Sequence, residues 1–176
     1  MSEPESATES RQVRRTRETI LRAFRDLFLA RRYREIRVTD IIDAANVGRS
    51  TFYDHFANKD EVLLSSMSPL LEVFIDAAVG KADPQKLRAV LTHFRAESSR
   101  ARSLFSYEVF FKIVDRHAEL IEDALPQTIA PVTRKLTAMQ TAAAQLSIIR
   151  AWTTGQIVAS TDEIAAHLLR QQAMPC

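Results

Sequence analysis

The stretch VTDIIDAANVGRSTFYDHFANK, residues 38–59, constrains this chain more than any other part of its sequence. Ile41 and Ala45 are four residues apart, so they share one face of a short helix. Asn46 follows them, and asparagine is one of the few non-glycine residues that accept the left-handed conformation of a tight helix stop. A second helix then begins near Arg49. The pattern predicts two short helices joined by a brief turn.

The second of these helices carries an unusual set of side chains. Phe52 and Phe56 are four residues apart and form its predicted buried face. The other positions hold short or planar hydrogen-bonding groups in place of the usual Lys and Glu: Arg49, Ser50, Thr51, Tyr53 and His55. Two short helices with a polar second member predict a helix-turn-helix whose second helix fits a DNA major groove.

The same stretch resembles the N-terminal motif of the TetR-type regulators, T-V-x-D-I-A-x-x-A-G-V-S-x-G-T-F-Y-x-H-F-x-x-K-x-x-L. The chain matches this motif at Val38, Asp40, Ile41, Ala45, Val47, Thr51, Phe52, Tyr53, His55, Phe56, Lys59 and Leu63. It departs from the motif at Arg37, where the family has a threonine cap, at the turn residue Asn46, and at Gly48 and Ser50. The resemblance covers roughly residues 14–63, about a third of the chain.

The charge of the chain is concentrated on this segment. Residues 11–59 hold twelve Lys and Arg against six Asp and Glu, whereas residues 60–176 hold twelve against thirteen. A segment that binds DNA phosphates needs such a positive balance. A solvated basic surface without a partner would have the same composition.

The pattern of apolar residues and caps predicts an all-α chain of about nine helices. By its resemblance to the family, the chain should have an N-terminal three-helix DNA-binding domain and a C-terminal helical domain for effector binding and dimerisation. We place these at residues 11–58 and 59–176. Residues 1–10 are acidic and rich in Ser, which predicts a disordered lead-in.

Several helix boundaries follow from local signals. The first helix should begin at Arg11 or Arg14 and end near Arg32. Ser68-Pro69 should kink the fourth helix or start a new one, because proline inside a helix removes a backbone hydrogen bond. Further helices are expected at about residues 84–97, 100–114, 115–125, 137–159 and 161–172, with a short stretch at 132–136.

The resemblance implies a set of DNA contacts. The N-terminal end of the first helix reaches phosphates in the family, so Arg14, Arg15 and Arg17 are expected there, although plain surface arginines would look the same. Thr39 either caps the second helix or points at a phosphate. The remaining expected contacts are phosphate anchors at Thr51, Tyr53, His55 and Lys59, and base-reading groups at Arg49 and Ser50.

In the C-terminal domain the family has a small-molecule pocket and a two-helix dimer interface. The expected pocket residues are the aromatic set and a nearby histidine: Phe74, His93, Phe94, Phe105, Tyr107, Phe110, Phe111 and Trp152. The expected dimer residues form apolar stripes on the last two helices: Ile148, Ile149, Trp152, Ile164, Leu168 and Leu169. Each of these residues would also suit the protomer's own core.

No enzyme, cofactor or metal motif stands out in the sequence. The four histidines are scattered away from metal-ligand spacing, and phosphate-loop, nucleophile-elbow and dinucleotide patterns are absent. Cys176 is the only cysteine, which fits a reducing cytosol. No apolar run reaches transmembrane length. We therefore expect no cofactor, no membrane and a cytoplasmic protein.

The leading prediction is a homodimeric repressor that binds a palindromic double-stranded DNA operator and is released by a small, largely apolar effector. One rival is a helical small-molecule carrier in which the DNA-binding domain is vestigial. The other is a DNA-binding regulator that needs no ligand.

Overall fold

The computed structural model describes residues 4–96 and 107–171, and all regular structure in this part of the chain is helical. The eight α-helices are α1 Pro4–Ala30, α2 Val38–Ala45, α3 Arg49–His55, α4 Lys59–Ala78, α5 Pro84–Ala96, α6 Tyr107–Ala124, α7 Pro131–Thr153 and α8 Thr161–Arg170. A 3-10 turn, Tyr33–Glu35, lies between α1 and α2. The chain divides into two compact units between Met67 and Ser68. The prediction of an all-α chain is confirmed.

Unit 1 consists of α1, the 3-10 turn, α2, α3 and the first part of α4. Its core is formed by apolar residues from each of these elements. The largest of them are Ile20, Phe24, Ile36, Ile41, Phe52, Phe56 and Leu63, all fully buried. Their three- and four-residue spacing gives each short helix an apolar face, and packing these faces together is what stabilises helices too short to form alone.

Helix α1 begins at Pro4, so the predicted start at Arg11 or Arg14 and the predicted disordered lead-in are wrong for residues 4–10. Proline suits the first helical position, because its missing N–H has no helical partner there and its φ angle already fits. No glycine or second proline then interrupts the sequence up to Ala30, where the helix ends.

Helix α4 continues through Pro69, so of the two predicted alternatives the new helix is wrong and the kink stays a prediction. A proline inside a helix costs about 3 kcal/mol, but burying one large apolar side chain returns about 1.5–3 kcal/mol. Leu71, Val73 and Phe74 follow the exposed Pro69 and are buried. Their burial outweighs the loss of one backbone hydrogen bond.

Unit 2 holds two apolar clusters. The larger one joins the C-terminal part of α4 to α5, α7 and α8, and its aromatic members are Phe74, Phe94 and Trp152. The smaller one joins α4, α6 and α7 through small residues such as Ala78, Ala118, Ala138 and Ala142. Alanines at such contacts let helices approach closely.

The helix limits in unit 2 differ from the predictions in two places. Helix α6 runs unbroken through residues 114 and 115, where two helices were expected, and residues 97–106 lie outside the described part. Helix α7 includes the predicted separate stretch at 132–136 and ends at Thr153, before the expected Ala159. Gly155 explains this end, because its φ of 82° is left-handed and the N–H of Ile157 donates to the carbonyl of Ala151.

Candidate nucleic-acid interface

The turn between α2 and α3 is set by residues within a few positions of it. Asn46 has φ 50° and ψ 49°, the left-handed conformation that the sequence predicted. The N–H of Val47 donates to the carbonyl of Ile42 over 3.2 Å. At the other end of α2, the Asp40 carboxylate accepts from the N–H of Arg37 at 2.7 Å. Asp40 thus satisfies a backbone donor at the position where the family's threonine cap is missing.

Helix α3 turns one face into the core and the opposite face outward. Phe52 is fully buried, whereas Arg49, Ser50, Tyr53 and Asp54 are exposed. We call these four exposed residues the α3 face. At a 3.6-residue period they fall on one side of the helix, so all four can meet the same surface.

Two members of the α3 face support each other. The Arg49 guanidinium lies over the Tyr53 ring, 5.8 Å from its centroid, and Tyr53 meets the Phe52 ring edge-on at 5.4 Å. Phe52 therefore fixes Tyr53 against the core, and Tyr53 in turn offers a platform for Arg49. A planar guanidinium presented in this way can make the two parallel hydrogen bonds that guanine accepts in the major groove.

Thr51 and His55 lie at the margins of the α3 face and are half-buried. Asp54 is a member that the sequence analysis did not name. Its exposure follows from its position two residues after Phe52, and a carboxylate there can accept from a cytosine amino group but repels phosphates.

Arg17 makes contacts inside unit 1 that the sequence did not predict. Its guanidinium lies 4.3 Å from the centroid of the Phe56 ring and donates to the His55 carbonyl at 3.1 Å and to Ser65 Oγ at 2.9 Å. It therefore joins α1 to the end of α3 and to α4 inside unit 1. Two of its five N–H donors are used within the protein, and a phosphate contact through the others stays a prediction.

Lys59 is held in a similar way. Its ammonium donates to the carbonyls of Tyr33 at 3.2 Å and Ile36 at 3.0 Å, and lies 4.3 Å from the centroid of the Tyr33 ring. The Tyr33 hydroxyl bonds in turn to Asp60. Lys59 therefore fastens the start of α4 to the 3-10 turn, and a phosphate contact through its third N–H stays a prediction.

Arg14, Arg15 and Thr39 are exposed, as DNA contacts must be. Arg14 lies 3.9 Å from Glu18 in an ion pair whose side chains are both mostly exposed. Such a pair contributes little and can be exchanged for a phosphate at small cost.

In unit 2 the expected pocket residues separate into two groups. Phe74, Phe94, Phe110 and Trp152 are buried, whereas His93 and Phe111 are exposed and do not line an interior site in the described chain. His93 faces outward because Leu87, Leu91 and Phe94 take the inner side of α5. Phe105 and the side chain of Tyr107 lie outside the described part.

The interior polar pair of unit 2 was missed. His117 of α6 and Gln145 of α7 are completely buried, and His117 Nε2 lies 2.7 Å from Gln145 Oε1. Both occupy core positions of their helices, His117 four residues from Ile113 and Ile121, and Gln145 four residues from Ile149. The sequence signal that could have revealed this pair is a polar residue at a position where the helical spacing predicts an apolar one.

Most of the expected dimer residues belong to the protomer's own core. Ile149, Trp152, Ile164 and Leu168 are buried in the larger cluster of unit 2, and Ile148 and Leu169 pack against it. The indole N–H of Trp152 donates to the Ala159 carbonyl at 2.8 Å. For the four buried residues the assignment to an intermolecular interface is wrong, because α7 and α8 turn them towards α4 and α5. For Ile148 and Leu169, which are only partly buried, it stays a prediction.

An exposed apolar surface lies on the other side of α7. Val132, Leu136 and Met139 are 72%, 56% and 51% exposed, and their spacing of four and three residues is that of a coiled-coil seam. Ala143 continues the same line and is also exposed. We call these four residues the α7 stripe.

Comparisons with known proteins agree with this geometry. The family model described as "Bacterial regulatory proteins, tetR family" matches residues 20–65, from the middle of α1 into α4. The regulator TcmR of Streptomyces glaucescens is 40% identical over 93 residues, which are 52% of this chain and 41% of that protein. Residues 20–65 are therefore similar to the N-terminal domain of the TetR family.

Two further helix-turn-helix regulators show the same partial likeness. YxbF of Bacillus subtilis, an uncharacterised helix-turn-helix regulator, is 36% identical over 77 residues, 43% of this chain and 20% of its own. DhaS of Lactococcus lactis, a transcriptional activator of the dhaKLM operon, is 42% identical over 48 residues, 27% of this chain and 26% of its own. The chain spans less than half the length of the curated relatives it matches.

The likeness in fold extends beyond the matched segment. A crystal structure of a TetR transcriptional regulator from Streptococcus agalactiae superposes with a TM-score of 0.59 and 19% identity, covering 94% of this chain and 98% of that one. Within residues 4–96 and 107–171, no helix is long and apolar enough to cross a membrane. The described side chains also form no group of three His, Cys, Asp or Glu that could hold a metal.

Proposed function

We propose that this chain is a sequence-specific DNA-binding regulator of the TetR family that reads an operator through the α3 face. The observation that carries this proposal is the outward presentation of Arg49 on Tyr53, beside Ser50, on a helix-turn-helix whose opposite side is fully buried. A solvated helix face would not need an aromatic platform braced by the core.

The phosphate contacts that we propose surround this face. Thr51, Tyr53 and His55 lie on α3, and Arg14, Arg15 and Thr39 are exposed elsewhere in unit 1. Lys59 would add its remaining N–H at the start of α4. Contacts of this kind fix the register of the protein on the duplex, and the base contacts of Arg49 and Ser50 give specificity.

We further propose that the chain works as a homodimer in the cytoplasm on a palindromic operator. Two recognition helices related by a two-fold axis engage successive major grooves when they stand about 34–36 Å apart, or a multiple of that distance. The α7 stripe is the surface that we assign to the dimer, in place of the buried stripes named from the sequence. It offers a seam of three large apolar residues that are each more than half exposed.

The proposal also covers whether the protein represses or activates transcription and which kind of molecule changes its affinity for DNA. We propose a repressor whose affinity for DNA falls when a small, largely apolar effector binds in unit 2. An effector shifts the equilibrium by binding more tightly to the conformation that does not fit DNA. One relative, DhaS, is named an activator, so a regulator of the opposite sign is the alternative that an assay must exclude.

Fluorescence anisotropy of the purified chain on the DNA upstream of its own gene tests the proposal. Random DNA of equal length is the control, and a salt series measures the number of phosphate contacts. The proposal predicts binding that exceeds the control and weakens steeply with salt. The proposal would be contradicted if the upstream DNA, and every fragment of the neighbouring intergenic region, bound no more tightly than the random DNA.

A further inference from the structure

Two polar side chains lie where unit 2 should be purely apolar. His117 and Gln145 are fully buried. Their hydrogen bonds link three helices, one after the other. Gln145 Nε2 donates to the Phe74 carbonyl of α4 at 3.1 Å, and Gln145 Oε1 lies 2.7 Å from His117 Nε2. The arrangement runs from α4 through α7 to α6.

The hydrogen bonds determine which nitrogen of His117 carries its proton. The Phe74 carbonyl can only accept, so it takes the N–H of the Gln145 amide and turns the amide oxygen towards His117. That oxygen can also only accept, so His117 Nε2 must carry a hydrogen. Burial lowers the pKa of His117, and the bond to Gln145 opposes this shift only in part. The ring is therefore neutral, and Nδ1 is a bare acceptor.

Nδ1 of His117 has no hydrogen-bond partner in the described chain. Buried polar atoms without a partner are rare in folded proteins, and each one calls for a physical reason. A buried water at Nδ1 would need further polar partners, because an ordered water usually makes two to four hydrogen bonds. The ring of His117 meets Phe74 edge-on at 6.4 Å, and Phe74 lies 6.5 Å from Phe94.

We propose that His117 Nδ1 is the polar anchor of the effector site in unit 2, and that the effector is an uncharged aromatic or apolar molecule carrying a hydroxyl or N–H donor. The inference rests on the proposed function for the existence of an effector. The donor requirement comes from the bare acceptor, and the aromatic body matches the rings of Phe74 and Phe94. A charged effector would lose its hydration without a compensating partner.

The same hydrogen bonds would couple effector binding to the positions of three helices. Gln145 is hydrogen-bonded to Nε2 of His117 and to the Phe74 carbonyl of α4. A donor that bonds to Nδ1 and shifts the His117 ring would therefore displace groups of α4, α6 and α7 together. Gln145 is a positioning residue in this account, because it sets the tautomer and the orientation of the ring without touching the effector.

The first test uses the unaltered chain and two matched probes, 2-naphthol and its methyl ether, 2-methoxynaphthalene. Nitrogen-15 NMR of the imidazole rings reports each tautomer and any hydrogen bond to Nδ1. The free chain should show His117 protonated at Nε2, and 2-naphthol should shift its Nδ1 resonance whereas the ether should not. The exposed His93 is an internal control that neither probe should shift.

Calorimetric titration measures the same preference as an affinity. Leaving a buried acceptor unpaired typically costs enough to give 2-naphthol about a tenfold advantage over the ether. His117→Phe should abolish this advantage while keeping the site apolar, and the control His93→Phe should preserve it. If His117→Phe does not fold, the NMR result on the unaltered chain decides.

Three results would overturn the inference: protonation of Nδ1 in the free chain, equal affinity for the two probes, or binding of neither. DNA binding is measured separately by anisotropy, so the two proposals can fail independently. Selective binding of 2-naphthol without any specific DNA binding would contradict the proposed DNA-binding function and support the effector site at His117. Specific DNA binding with no preference between the probes would do the reverse.

Discussion

Two cations hold unit 1 together from within. Arg17 and Lys59 each lie 4.3 Å from an aromatic centroid and each donate to backbone carbonyls, Arg17 to His55 and Lys59 to Tyr33 and Ile36. A cation that stacks on a ring and satisfies carbonyls contributes through packing as well as charge. These side chains therefore belong to the stability of the DNA-binding unit.

Arg17→Ala should lower the free energy of unfolding by about 1–3 kcal/mol, because it removes two hydrogen bonds and the contact with Phe56. Arg17→Lys should lose less, since an ammonium keeps the charge but not the planar fork. Urea unfolding measures the change. Arg14→Ala is the matched control, as its exposed side chain should change stability by less than about 0.5 kcal/mol. Equal losses from the two alanine variants would contradict the placement of Arg17.

Arg14, Arg15 and Arg17 of α1 look alike in sequence, and only their partners distinguish them. Arg14 and Arg15 are exposed, whereas Arg17 bonds to residues 38 and 48 positions away. Spacing within a helix predicts which residues share a face, but it carries no information on such distant partners. The exposure of Arg49 and Tyr53 could be predicted, because spacing within one short helix decides it.

His117 gives a pH dependence whose sign follows from its burial. Its folded pKa is lowered from 6.5, so below that value the unfolded chain binds a proton that the folded chain refuses. Stability is complete at higher pH and falls as the pH drops below about 6.5, by up to about 1.4 kcal/mol per pH unit. Unfolding measured from about pH 8 to about pH 5 should show this slope.

The slope should decrease in His117→Phe and persist in His93→Phe, in which an exposed histidine is replaced. An unchanged slope in His117→Phe would show that other groups cause the acid sensitivity.

At the level of elements, the corner between α2 and α3 depends on one left-handed residue. Asn46→Ala should destabilise unit 1 by about 1–2 kcal/mol, because alanine resists φ 50°. Asn46→Gly should be close to neutral, since glycine adopts this conformation freely. Thermal or urea unfolding of the pair tests the expectation. Two variants of equal stability would mean that the corner relaxes without cost.

Caps and turns of this kind could be predicted because they act within about four residues. Asn58 accepts from the N–H of Glu61, Asp83 caps α5, and Ser160 and Glu163 form the box that begins α8. The faces of α7 could not be predicted in the same way. Apolar residues occur on both of its sides, and only the positions of α4, α5 and α8 decide that Ile149 and Trp152 turn inward.

Leu136→Glu should weaken the proposed dimer, because it places a charge in the middle of the α7 stripe. The dissociation constant should rise by more than about tenfold, since burying the leucine side chain in the dimer would contribute about 1.5–3 kcal/mol to the binding free energy. Sedimentation equilibrium measures the mass. Ala89→Glu adds the same charge to the exposed side of α5 and should leave the mass unchanged. A Leu136→Glu variant as dimeric as the parent would exclude the α7 stripe.

At the scale of the whole molecule, the two units differ in how far sequence determines them. Unit 1 matches a family motif, and its turn at Asn46 and the buried face of Phe52 and Phe56 were predicted from that motif and its spacing. The start of α1 and the partners of Arg17 were not predicted. In unit 2 the helices were predicted but their inner faces were not. Its polar interior depends on His117, Gln145 and Phe74, which lie far apart in sequence and meet only in the fold.

We propose that Arg49 on the α3 face reads a base of the operator. Selection of bound duplexes from a random DNA library, followed by sequencing, tests it for the parent chain and Arg49→Ala. The parent should enrich a two-fold symmetric sequence with a fixed guanine in each half, at a discrimination of about 1–3 kcal/mol. Arg49→Ala should lose the guanine but keep the spacing, whereas Arg170→Ala, which removes an exposed charge from α8, should change nothing. A parent that enriches no sequence, or an Arg49→Ala variant with the same preference, would contradict the claim.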